Sequence, residues 1–69
     1  MTSETVTRLE RFQAPYNREI TLDDVDFESG MRLLRITIRE GRRFTILDVD
    51  AQTAAHWGSA LAGWAEQAE

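Results

Sequence analysis

The sequence predicts an α+β fold: a three-stranded antiparallel β-meander with one C-terminal α-helix packed on one face, in two layers. Three observations predict it. Apolar residues alternate with polar ones at Ile20 and Leu22 and again at Leu34, Ile36 and Ile38, as half-buried strands require. Turn signals at Ser29-Gly30 and Glu40-Gly41-Arg42 separate the alternating runs. In the last third, Ala54, Trp57, Leu61 and Trp64 recur at helical spacing.

Residues 1–15 are polar with scattered apolar positions, Val6, Leu9 and Phe12, and end at Pro15. They read as a flexible or loosely docked N-terminal arm, with the β-β-β-α domain spanning 16–69. In the first strand, Val25 and Phe27 alternate on the opposite parity from Ile20 and Leu22. A β-bulge at Asp23-Asp24 would return both pairs to one face.

The second strand runs from Met31 to Arg39 and the third from Arg43 to Val49. Setting Arg39 opposite Arg43 places Ile38 against Phe44 and Ile36 against Ile46, so the inner face stays apolar. A two-residue turn at Ser29-Gly30 sets Val25 against Leu34; beyond the bulge, Leu22 meets Ile36 and Ile20 meets Ile38. In that register the outer face carries a row of Thr21, Thr37 and Thr45, a row of Glu19, Arg39 and Arg43, and Asp24 beside Arg35. It also carries Leu33, Leu47 and Val49, with Met31 near the same end, as an uncovered apolar patch. The helix starts at Asp50, a good N-cap. Its other positions are small, Ala55, Gly58, Ser59, Ala62 and Gly63, which suits close approach of a second helix.

A chain of 69 residues makes one domain and buries about 60% of its unfolded surface. With no cysteine and one histidine, disulfides, thiolate metal sites and a histidine metal site within one chain are excluded, which leaves oligomerisation as the usual supplement. No cofactor or metal motif is present, and His56 has no catalytic partner at a recognisable spacing. The acidic stretch Asp23, Asp24, Asp26 and Glu28 lacks the glycine placement of a calcium loop. The chain reads as non-enzymatic. No signal peptide or membrane-spanning run is seen, so the expected location is cytoplasmic. All eight basic residues are arginine, a codon bias of GC-rich bacterial genomes.

The net charge of −4 is uneven. Arg32 to Arg43 holds five arginines and one acid, net +4; the rest holds three arginines and eleven acids, net −8. Arg35, Arg39, Arg42 and Arg43 are therefore candidates for anion binding, against a plain salt-bridged face. The candidate interface is Leu33, Leu47, Val49 and Met31, with Gly58 and Ala62 on the helix. The functional expectation is a small accessory or interaction domain that forms a homodimer. The alternative is a binder of single-stranded nucleic acid or another polyanion, which the acidic net charge and an outer face without aromatics disfavour.

The run from Arg18 to Asp50, followed by TAAHWGSALAGWAE, resembles a family of short uncharacterised bacterial proteins, a domain of unknown function, over about Arg18 to Glu66. The resemblance implies no activity and no site. The strand–strand–strand–helix order is also similar in outline to the single-stranded DNA-binding units of the PC4 and Pur-α type, which are dimers.

Overall fold

A computed structural model describes residues 3–68. It is α+β, with one antiparallel sheet followed by a C-terminal helix, but the sheet has four strands and not three. β1 (Glu4–Ala14), β2 (Arg18–Phe27), β3 (Arg32–Glu40) and β4 (Arg43–Val49) lie side by side in chain order, and α1 (Ala51–Gln67) follows. The additional strand comes from the stretch expected to be an arm. β1 pairs with β2 along its whole length, from Glu4 opposite Phe27 to Ala14 opposite Arg18.

Two local features differ from the sequence expectation and together reset the faces of the sheet. The β-bulge sits in β1, where Leu9 is the extra residue between Arg8 and Glu10, and β2 runs through Asp23-Asp24 without interruption. Ile20 and Leu22 face Ile38 and Ile36 as expected, whereas Val25 faces Leu33 and not Leu34. Val25 therefore lies on the opposite face from Ile20. The loop before β3 spans three residues, Glu28 to Gly30, closed by bonds from the Gly30 N–H to the Phe27 carbonyl and from the Phe27 N–H to the Met31 carbonyl. Gly30 takes a positive φ of 95° there, the usual glycine position of a three-residue hairpin.

The β3–β4 hairpin turns on Gly41-Arg42 alone, with Glu40 opposite Arg43. Gly41 has φ 59° at the first central position, which fits the tight turns that match strand twist. The expected Arg39–Arg43 pairing is one residue out. Because side chains alternate, that single step turns the whole of β4 over. Ile36 meets Leu47, Ile38 meets Thr45, Arg39 meets Phe44 and Thr37 meets Ile46.

The sheet consequently has a helix face, with Phe12, Ile20, Leu22, Leu34, Ile36, Ile38, Leu47 and Val49, and a free face, with Val6, Val25, Leu33, Phe44 and Ile46. α1 lies over β3. Asp50 caps it as expected: its carboxylate accepts from the Thr53 N–H at 2.8 Å, which satisfies one of the unpaired amides of the first turn. Hydrogen bonding within that turn also holds the Asp50 carboxyl below its ordinary pKa.

Candidate functional site

The molecule is a slab of 47 × 30 × 15 Å with little interior. Val25 and Val49 are the buried hydrophobic residues among those described. The accessible surface is 5850 Å²; a compact monomer of this mass would show about 4400 Å². Part of it lies where α1 meets the sheet. A groove of about 360 Å³ opens there, walled by Phe12, Ile20, Leu22 and Ile38 on one side and by Trp57 and Leu61 on the other. Its lining is almost wholly apolar, and among the helical residues Ala54 alone is even half-buried.

The helix stripe that the spacing predicts does point at this groove, but it does not fill it. Leu61 remains 61% exposed and Trp64, one turn further along the same stripe, 72%. With the exposed parts of Trp57, Phe12 and Leu47, these side chains leave about 500 Å² of apolar surface open in all on the helix side, with Phe12 at the β1 edge and Leu47 at the β4 edge. Gly58 lines the groove. A Cβ on Gly58 would meet no atom within 4 Å, so nothing within the chain requires a glycine there. Ala62 lies one turn beyond, exposed.

The free face is built differently. Four guanidiniums, from Arg8, Arg11, Arg35 and Arg39, alternate with the carboxylates of Glu4, Glu19, Asp23 and Asp48. Arg8 Nε stands 3.4 Å from Asp23, and Glu19 accepts from Arg11 at 3.0 Å while lying 3.7 Å from Arg39. Arg35 holds Asp48 through two bonds of 2.9 and 3.2 Å and lies 3.7 Å from Glu4. That bidentate bond lowers the Asp48 pKa, against the opposing effect of partial burial, and raises that of Arg35. Thr21 and Thr37 form the floor of an open cleft of about 330 Å³ between Arg8, Arg11 and Arg39, with Phe44 at its side.

Several expected placements change. Leu47 and Val49 are on the helix face, not the outer one, because β4 is turned over; Val49 is buried and Leu47 half open. Leu33 stays on the free face, in a row with Val25 and Val6. Met31 sits exposed at the start of β3. Thr45 leaves the threonine row for the same reason as Leu47, while Thr21 and Thr37 remain paired. The four candidate anion-binding arginines do not converge. Arg35 and Arg39 are on the free face, Arg43 is on the helix face opposite Glu40, and Arg42 is at the hairpin tip. Asp24 bonds Arg32 at 3.1 and 3.3 Å, not Arg35, and this contact raises the Arg32 pKa. Phe44 is an aromatic on the face expected to have none. Arg8 and Arg11 join that face because β1 is a strand, a role the three-residue spacing of Val6, Leu9 and Phe12 did not signal.

Among the described residues, no cluster of three or more metal-capable side chains occurs, and no helix is long and apolar enough to cross a membrane. Residues 3–67 match a family of unknown function, DUF6967. The chain belongs to that family. The match covers the N-terminal strand as well as the part from Arg18 onward. No curated protein and no solved structure matches the chain.

Proposed function

We propose that this DUF6967 member is a non-enzymatic interaction module that completes its fold as a homodimer. The observation that carries the reading is the unfilled helix face: a sheet side of aliphatic residues under a helix whose Trp57, Leu61 and Trp64 stay open. A stable interface takes about 800 Å² per partner, roughly 60% of it apolar, so about 500 Å² of open apolar surface is the right size for one. A chain of 69 residues without cysteine has few other ways to add stability. Sedimentation velocity tests it. A dimer is expected at micromolar concentration, with a melting temperature that rises with protein concentration. A monomer up to millimolar concentration would sink the reading.

A second reading, binding of a single-stranded polyanion, has one observation in its favour: Phe44 shares a cleft with Arg8, Arg11 and Arg39. Stacking on an exposed aromatic beside guanidiniums is how such strands are held. The equal number of carboxylates on that face weighs against it. Fluorescence anisotropy with a labelled oligonucleotide at low salt decides, since binding lost on Phe44→Ala and Arg39→Glu is what this reading requires.

A further inference from the structure

The two edges of the sheet are chemically unequal. The β1 edge is broken by the bulge at Leu9, stopped by Pro15, and lined with Glu4, Arg8, Glu10 and Arg11. These are the devices by which an edge strand avoids pairing with another chain. The β4 edge has none of them in its centre. From Phe44 to Leu47 it carries no charge, no proline and no bulge, and its side chains are exposed on both faces: Phe44 and Ile46, each 62% open, on the free face, and Leu47 on the helix face. α1 lies over β3, not along this edge.

From this asymmetry we infer that β4 is the strand through which two copies join, antiparallel, β4 to the partner's β4, in one continuous eight-stranded sheet. The inference rests on the homodimer reading and adds the surface and the register. A two-fold axis perpendicular to the sheet keeps each face on its own side, so opposed residues must share a face. Centring the axis on Thr45 meets that condition and places Phe44 opposite Ile46 of the partner subunit, twice over. An aromatic against a β-branched residue is a favourable cross-strand pair. The same register sets Arg43 opposite Leu47 of the partner subunit and brings Arg42, at the hairpin tip and without an ion pair among the described residues, towards the partner's Asp48, which Arg35 holds within its own chain. Centring on Ile46 would instead press Phe44 against a carboxylate, and centring on Leu47 would do the same to Ile46. Such a join carries both helices on one side of the sheet, while the groove walled by Phe12, Ile20 and Leu22 lies towards the β1 edge, away from the join.

The test uses the whole chain, whose lack of cysteine makes single thiols unambiguous. Directly opposed residues of an antiparallel pair have Cα atoms about 5 Å apart, within disulfide range. Thr45→Cys is therefore expected to give an interchain disulfide in a glutathione buffer, whereas Thr5→Cys on the β1 edge is not. Phe44→Lys and Ile46→Lys, at exposed positions, are expected to weaken dimerisation at least about tenfold, and Val6→Lys on the β1 side to leave it unchanged. Circular dichroism establishes that each variant is folded. A wild-type dimer that is indifferent to both lysine substitutions and gives no Thr45→Cys link would overturn the β4 join while leaving the dimer reading intact. A wild-type monomer would overturn both, and a monomer that instead takes up a synthetic β-strand peptide along β4 would point to a partner of another kind.

Discussion

On the free face Val25 is fully buried although no second layer covers it, whereas on the helix face Ile36 and Leu34 stay half open beneath a helix. The contrast separates two ways of excluding water. On the free face, burial is lateral: Val6 and Leu33 flank Val25 in neighbouring strands, and the long stems of arginines tied to carboxylates spread over the rows between. The β4 edge of that face, with Phe44 and Ile46, is left open. On the helix face a contiguous block of aliphatic residues, Ile20, Leu22, Leu34, Ile36 and Ile38, depends on a second layer, which one helix of mostly small residues does not supply. An apolar face with a lid too small for it is what the proposed homodimer would complete.

Breaking the contrast on its closed side should cost most. Val25→Ala is expected to lower stability by about 2 kcal/mol, read by urea denaturation, because the neighbouring strands cannot close over the lost methyl groups. A cost near zero would show that the lateral packing is loose. On the open side the pattern should invert. Leu61→Ala and Trp64→Ala should barely change the stability of a dilute, monomeric sample, yet each should weaken self-association by about 1–2 kcal/mol, roughly tenfold in dissociation constant by sedimentation equilibrium. Equal effects on dilute and concentrated protein would show that the stripe serves the monomer.

Smaller effects sharpen the electrostatic side of the comparison. Asp48→Asn removes the bidentate partner of Arg35 and, at a partly exposed site, should cost under about 1 kcal/mol. The pH dependence follows from the directions of the shifts. Asp48 and Asp50 have lowered pKa values in the fold, so their contribution is present at neutral pH. It starts to be lost as the pH falls towards about 3.9, the ordinary aspartate value, and is gone below the lowered folded values. The melting temperature should therefore drop between pH 6 and pH 3, less steeply in Asp48→Asn than in the wild type. Identical slopes would mean that the Arg35–Asp48 pair adds nothing to stability. The smallest effect concerns the β1–β2 turn, where Tyr16 holds a φ of 65° that a side chain disfavours. Tyr16→Gly should be slightly stabilising in thermal denaturation, unless the contact of the Arg18 guanidinium with the Tyr16 ring, 5.6 Å away, outweighs the relief.

Much of the architecture was legible in the residues. The Ile20–Ile38 and Leu22–Ile36 pairs, the Asp50 cap and the Trp57–Leu61–Trp64 stripe each carried their own local signal. β1 was not legible, because a strand with one bulge alternates on two parities, and its apolar residues at 6, 9 and 12 mimic a helical spacing. The candidate surfaces suffered from the same ambiguity. β4 is apolar on both parities, Phe44 and Ile46 on one and Leu47 and Val49 on the other, so no pattern could say which pair faces the helix.

What the sequence by itself determined is the menu of elements: antiparallel strands from period-two alternation and a capped helix from period 3.6. What the tertiary structure decided is the register. Two hairpins each differ by one residue from the simplest reading, and because a strand repeats every two residues, each such step moves a whole row of side chains through the sheet. The choice fell to the backbone of Gly30 and Gly41, whose positive φ angles set the loops at three residues and at two. Those glycines are visible in the sequence, but which loop each one closes depends on the pairing of the strands around it.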